Sequence, residues 1–275
     1  MERRDKNGLT EEEFLAQYKP GDYERPSVTV DMLVISVSEN KKHLRTLLIK
    51  RGGHPYLGEW ALPGGFVNPN ETAFQAAKRE LLEETGLDDI YLSQIYTFSN
   101  PDRDPRTRVI SIAFLALIQE RDVKAGDDAK EALWFDTTFA EKKITFTNRK
   151  AGVTIQYSLT PQVFQNGAIK YKNYIPKKET ETGLAFDHIE IILEGMKTLR
   201  RMVAQTDIIF NLLDQKFTLK DLNMLLELIT GKRMYYQKMM AVFGEKIFLI
   251  GKAQSSDRGR KADLYMYQPK EEDFL

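Results

Sequence analysis

At 275 residues the chain is long enough to bury a sizeable core and to hold two domains, since domains typically run to about 100 to 200 residues. Lys plus Arg and Asp plus Glu are each 40, so no global charge announces a nucleic-acid partner, and the absence of cysteine excludes disulfides, thiol catalysis and thiolate metal sites. The opening stretch MERRDKNGLTEEEFLAQY has no apolar signal core and no apolar run reaches about 18 residues, so a soluble cytoplasmic protein with no membrane partner is expected.

In chain order, Thr10 to Glu13 form a capping-box pattern that opens a short helix, ended by Lys19-Pro20-Gly21. SVTVDMLVISV and LRTLLIKR then alternate, are rich in β-branched residues and flank the polar turn SENKKH, which predicts a hairpin or two neighbouring strands. Lys50 and Arg51 end the second strand, within reach of whatever the following segment binds, although a basic pair at a strand end is often only solvated. Trp60 reads as core.

The next segment, PGGFVNPNETAFQAAKRELLEETGL, reads as a helix with Asn70 at the N-cap, Phe74, Ala77, Leu81 and Leu82 at helical spacing, and Gly86 past its end. Glu80, Glu83 and Glu84 fall at i, i+3 and i+4, so they share one face, repel one another and crowd the negative end of the helix dipole. A divalent cation relieves that repulsion. Carboxylate oxygens suit Mg2+ or Mn2+, which fill their remaining positions with water and phosphate oxygens, so phosphate-ester chemistry is the natural expectation. Gly64 and Gly65 let the main chain approach closely, and a carbonyl there could add a ligand. The alternative is a solvated helix whose acids are balanced by Arg79 or Lys78.

IYLSQIYTF and RVISIAFLALI read as strands, as does the short ALWF at 132–135. Between the first two, Arg103, Arg106 and Arg108 stand close together in NPDRDPRTRVIS. Guanidinium forks match phosphate oxygens and stack on purines, which suits a diphosphate carrying a nucleoside; the alternative is a turn whose arginines pair with Asp102 and Asp104. GDDAKEALWF offers Asp127, Asp128 and Glu131 as groups that could activate water, with Asp128 preferred and a plain helix N-cap as the competing account.

From 137 to 183 the composition turns polar and β-like: KITFTN and VTIQYSL resemble a hairpin and YIPKKETETG a linker, so this is read as an insertion or extension of the first domain. An amphipathic helix follows from Leu184, in which Asp187 is expected to cap and His188 to be buried or half-buried; the competing reading makes them a functional pair. Beyond Thr206 the order helix, tight turn, helix, hairpin is that of a winged-helix module. Between 231 and 261 eight basic residues face two acidic ones. Lys232, Arg233 and Lys238 around the second helix and Arg258, Arg260 and Lys261 on the hairpin tip are candidates for phosphates of double-stranded DNA, with Tyr236 and Gln237 placed to read bases. The alternative is a protein-interaction or dimerisation module with a solvated basic face.

Gly65, Glu71, Arg79-Glu80-Leu81, Glu83-Glu84 and Gly86-Leu87 occupy nine fixed positions at the spacing of the Nudix box, and the chain resembles that superfamily. The resemblance implies an α/β/α sandwich with a mixed sheet and metal-assisted hydrolysis of a nucleoside diphosphate derivative. It further implies that Glu80, Glu83 and Glu84 hold the metal with the Gly65 carbonyl nearby, that Arg79 orients a glutamate, and that Glu71 is structural. Together with AFDHIEIILEGMKTLR, FTLKDL and GRKADLYMY, the box also resembles the Nudix-related regulators of NAD metabolism and their ADP-ribose pyrophosphatase relatives, and the order Arg-Asp-Pro-Arg fits ADP-ribose handling. Two departures bear on the choice. The box is intact where those regulators often carry damaged ones, and Tyr236-Gln237 stands where they tend to place consecutive arginines. The implied organisation is an N-terminal helical arm over 1–22, a Nudix domain over 23–204 and a winged-helix domain over 205–275. The expected activity is Mg2+- or Mn2+-dependent cleavage of ADP-ribose or a relative, with an ADP-ribose-sensing DNA-binding regulator as the alternative and a homodimer as the expected assembly.

Overall fold

The computed structural model describes residues 3–19, 21, 25–120, 123, 129–140, 142–203, 205–254 and 261–269. A short helix α1 (Glu11–Gln17) precedes β1 (Ser27–Val37), β2 (Leu44–Arg51), β3 (Trp60–Ala61), β4 (Gly64–Phe66) and α2 (Ala73–Thr85). Then come β5 (Tyr91–Phe98), β6 (Val109–Leu117), β7 (Ala129–Ala140), β8 (Lys143–Asn148), β9 (Val153–Asn166), β10 (Ile169–Lys178) and α3 (His188–Met202). A 3-10 helix (Asp207–Leu212), β11 (Lys216–Phe217), α4 (Leu219–Thr230), α5 (Tyr236–Phe243), β12 (Ile247–Gln254) and β13 (Lys261–Tyr267) complete the order.

The main sheet runs β10-β9-β8-β7-β2-β1-β6-β5, with β3 on β2 and β4 on β1; β1 and β6 are parallel and their other pairings antiparallel. Strand alternation assigns the two faces. Val30, Met32 and Val34 pack with Ala76, Ala77 and Leu81 of α2, whereas Leu33 and Ile35 pack with Ile191, Ile192, Met196 and Leu199 of α3. The result is the expected α/β/α sandwich. Helix α3 lies so close to the sheet that a Cβ on Gly195 would collide with the Leu33 side chain. Trp60 is core, edge-on to Phe135 at 4.8 Å.

Several expectations shift. Helix α2 is capped by Thr72, not Asn70: Thr72 and Gln75 form a capping box, while Glu71 stays outside the helix and accepts the Asn68 N–H at 2.8 Å. On α2 Ala77 and Leu81 are buried, but Phe74 and Leu82 are exposed. ALWF is the middle of a twelve-residue strand. The segment 137–183 extends the same sheet beyond β2, and Tyr174–Lys178, read as part of a linker, is the end of β10, paired with β9. An edge strand with lysines and a proline has the composition of a loop.

The C-terminal part has a small sheet in the order β11-β13-β12 against α4 and α5. Thr218 and Asp221 form the capping box of α4, and Gly231 ends it in the left-handed conformation at φ 73°. Phe210 stacks on Tyr267 at 4.0 Å and meets Phe217 and Phe243. Leu222, Leu226, Ile229 and Phe243 belong to one buried cluster with α3 and the sheet, so the hydrophobic core is continuous across residue 205. No helix among the described residues is long and apolar enough to cross a membrane.

Candidate functional site

Antiparallel pairing of β4 with β1 sets Gly64 opposite Asp31 and Gly65 opposite Val30, and α2 returns over this corner. The Glu80 carboxylate lies where a Cβ of Gly65 would be, so any larger residue there would push that carboxylate out of its place. The Gly64 N–H donates to Glu84 Oε2 at 2.7 Å. The bare Gly65 thus lets Glu80 of α2 come close to the main chain, whereas the bare Gly64 lets β4 close on Val30 and Asp31 of β1.

Arg79 is the hub of the acidic end. Its Nε and Nη2 donate to Glu71 at 3.1 and 2.6 Å, its Nη1 to Glu80 at 2.7 Å and to Glu83 at 3.0 Å, and Nη2 also reaches the Phe66 carbonyl at 3.1 Å. The Arg79 fork, aided by the Asn68 N–H, holds the Glu71 carboxyl down at about 2. Burial pushes Glu80 up, against the pull of Arg79. Glu83 is exposed. Lys78 does not balance the acids; its ammonium lies 5.2 Å from the Phe74 ring.

A cavity of about 770 Å³ opens beside this corner, and its lining includes Gly65, Glu80 and Glu84 from the box together with Arg51, Arg106 and Phe186. Arg106 is held by Asp104 through two bonds of 3.0 and 2.8 Å and approaches the rings of Phe66 at 5.7 Å and Phe186 at 5.8 Å. Arg51 donates to the Pro55 carbonyl at 2.8 Å and lies 4.9 Å from the Phe186 ring; burial, then the Arg106 charge, lowers its pKa. Phe186 sits at φ 51°, a left-handed backbone rare for a bulky residue. Its ring also meets Tyr56 edge-on at 4.7 Å.

The arginine cluster divides. Arg103 lines the cavity, but its side chain is only 4% exposed and its fork is engaged by Asp187 at 2.9 and 2.7 Å and by Asp31 at 3.3 Å. It anchors the loop to α3 and β1, a role different from the direct phosphate contact expected of it. Arg108 is not among the cavity residues; it donates to the carbonyls of Ser99, Asn100 and Val109 and braces its own loop. Lys50 is likewise outside the lining, 3.7 Å from Glu131. Asp127 and Asp128 lie outside the described residues.

Asp187 holds the N-cap position of α3 without a side-chain cap bond, because its carboxylate is turned to Arg103. His188 is buried; its Nδ1 accepts the Leu62 N–H at 2.8 Å, which places the ring proton on Nε2, 3.4 Å from Asp31 Oδ1. Burial lowers its pKa and favours the neutral ring. Ser111 donates to Asp31 Oδ2. Asp31, Ser111 and Phe186 were not singled out from the sequence. For Asp31 a signal existed, the one charged residue in the strand β1.

No group of three or more His, Cys, Asp or Glu side chains among the described residues is arranged to hold a metal ion, and Arg79 bridges Glu80 and Glu83. The donor chemistry nonetheless fits a hard divalent cation: the Glu80 carboxylate packs against Gly65 and the Glu84 carboxylate against Gly64, so two hard oxygen donors meet at one glycine corner.

In the C-terminal part Lys232, Arg233, Tyr236, Gln237 and Lys238 are all exposed at the start of α5, with Tyr236 61% exposed. Arg233 pairs with Glu227 at 2.8 Å. Lys261 opens β13, and Arg258 and Arg260 lie outside the described residues.

The sequence matches the family described as NUDIX domain over residues 28–156. It is 29% identical to the ADPR responsive transcriptional repressor NtrR of Acinetobacter baylyi, covering 98% of this chain and 92% of that protein. It is 47% identical to the ADP-ribose pyrophosphatase of Methanocaldococcus jannaschii over 42% of this chain and 64% of that protein. Among solved structures, the MutT/nudix family protein from Enterococcus faecalis superposes with a TM-score of 0.77 at 30% identity, covering 94% of both chains.

Proposed function

Because the chain belongs to the Nudix family, we propose that its cavity binds ADP-ribose or a closely related nucleoside diphosphate derivative and hydrolyses the diphosphate. The observation that carries this reading is the meeting in one cavity of box carboxylates, Glu80 and Glu84, with Arg106 and the Phe186 ring. Glu80, Glu83, Glu84 and the Gly65 carbonyl would hold Mg2+ or Mn2+. When bound, the ion polarises the diphosphate and lowers the pKa of water.

The remaining work falls to side chains. Arg79 favours the charged form of Glu80, in opposition to its burial, and Glu71 keeps Arg79 in place. Arg106, supported by Asp104, orients the diphosphate, and Arg51 and Phe186 face the nucleoside. A carboxylate of the box or Asp128 accepts the proton of the attacking water, and the products are AMP and ribose 5-phosphate. Similarity to a pyrophosphatase named for ADP-ribose supports this substrate class. A hydrolysis screen over nucleoside diphosphate derivatives, with and without Mg2+, tests it: the reading requires metal-dependent release of a nucleoside monophosphate from ADP-ribose, and no turnover of any member removes it.

A second reading is favoured by a specific observation, likeness over nearly the full chain to an ADPR-responsive repressor, together with the exposed cations just before and on α5. In it residues 23–204 form a ligand-sensing Nudix domain and 205–275 a winged helix that binds DNA, with Arg258, Arg260 and Lys261 on the wing. A cytoplasmic homodimer suits it, since two-fold proteins read paired half-sites. Gel shifts on the protein's own upstream region, with and without ADP-ribose, test this reading, and solution mass tests the dimer.

A further inference from the structure

A second cleft, of about 670 Å³, lies between the β1–β2 turn and helices α4 and α5, away from the nucleotide cavity. The turn is rigidly built. The Lys41 N–H donates to the Ser38 carbonyl at 2.7 Å, Ser38 Oγ to Asn40 Oδ1 at 2.9 Å, and the N–H groups of Lys42 and His43 to Asn40 Oδ1 and Ser38 Oγ at 3.0 Å each. Lys41 is held at φ 56°. Its ammonium is spent on docking, 2.9 Å from Asp214 and 3.3 Å from Asp221, the acid of the α4 capping box. That latch leaves the neighbouring Lys42 exposed at the rim, with Lys220 and Arg233, the latter paired with Glu227 of the same lining, on the helix side and Met224 and Leu228 also lining the cleft. Tyr236, at the start of α5, borders the same cleft.

From this we infer that the cleft seats a stretch of DNA sugar–phosphate backbone and that Lys42, which belongs to the Nudix fold, is a phosphate contact outside the winged helix. The inference rests on the DNA-binding reading above. Cations at the rim match phosphates, and apolar side chains in the lining match the faces of deoxyribose. Helix-turn-helix docking sends its second helix into the major groove while the first crosses the backbone, which puts α4, and therefore this cleft, beside a strand when α5 reads bases. The ligand-binding part of the chain would then touch DNA directly.

The test is the salt dependence of duplex binding, by fluorescence anisotropy on the protein's upstream region and on a random duplex. Lys42→Ala is expected to lower the slope of log affinity against log salt by about 0.9 on both duplexes, because a phosphate contact carries no sequence information. Lys42→Arg should restore the slope. ADP-ribose binding should be unchanged in both, since Lys42 is not in that cavity. If the wild-type protein binds with a salt-dependent affinity and Lys42→Ala leaves the slope intact while Lys232→Ala flattens it, the inference is overturned and the regulator reading stands. If the wild-type protein binds neither duplex at low salt, both fall.

Discussion

The acidic end of α2 and the basic turn that leads into α5 each concentrate charge in a short stretch and dispose of it in opposite ways. On α2, Glu80 and Glu83 share Arg79, and Glu84 takes the Gly64 N–H. Around α5, Arg233 has Glu227, but Lys232 and Lys238 have no carboxylate within ion-pair reach among the described residues. Charge answered from inside the fold is held at fixed coordinates, the condition for acting on a small bound group without reorganisation. Charge left in solvent suits a polyanion, whose binding gains by releasing counterions and tolerates imprecise geometry.

The inner half of this contrast breaks most severely at Arg103. Its truncation to Ala leaves the half-buried Asp187 carboxylate without its cation and the buried Asp31 with only Ser111 and His188, and should cost about 3–5 kcal/mol of stability, read as a drop in the denaturant midpoint. Next comes Glu84→Gln, whose amide oxygen can still accept the Gly64 N–H. It should leave the melting temperature near wild type while Mg2+-dependent turnover of ADP-ribose falls by at least about 100-fold. Retained activity would reduce the acidic end to structure.

Arg79→Ala sharpens the comparison through pH. The Glu71 carboxyl titrates at about 2 because Arg79 binds its charged form, so the contribution of Glu71 to stability is fully present above the ordinary carboxylate pKa and is lost as pH falls toward about 2. In the variant, NMR titration should place Glu71 back near the ordinary range. The stability deficit relative to wild type should be visible at neutral pH and shrink as the solution is acidified. For the outer half, Lys232→Ala with Lys238→Ala should flatten the salt slope of DNA binding by about 0.9 per contact and leave hydrolysis unchanged. The smallest effect is expected at the aromatic wall: Phe186→Leu should weaken ADP-ribose binding by about 3–10-fold, the worth of one ring contact, measured by calorimetry.

Local pattern was enough for some of this molecule. β1 and β2 begin and end where their β-branched, apolar runs do, because each strand buries side chains on both faces of one sheet and needs no distant information to be recognised. The box was legible through its spacing. What local pattern does not carry is the choice of partner. Three arginines within six positions look alike in a string of letters, yet one is taken by an aspartate 84 positions away, one by an aspartate two positions away and one by its own loop's carbonyls. Asp187 misled for the same reason, since a residue typical of a cap was recruited across the fold. In Tyr174–Lys178, solubility requirements at a sheet edge gave a strand the composition of a linker.

The buried cluster that runs from the sheet through α3 into α4 and α5 has a consequence for how this chain can be dissected. A cut near residue 205 would divide this cluster, with Leu222, Leu226 and Ile229 in one fragment and Met196 and Leu199 in the other. Neither half is an exchangeable module. The chain should melt in one cooperative transition, and grafting its C-terminal part onto another sensor should demand that α3 travel with it.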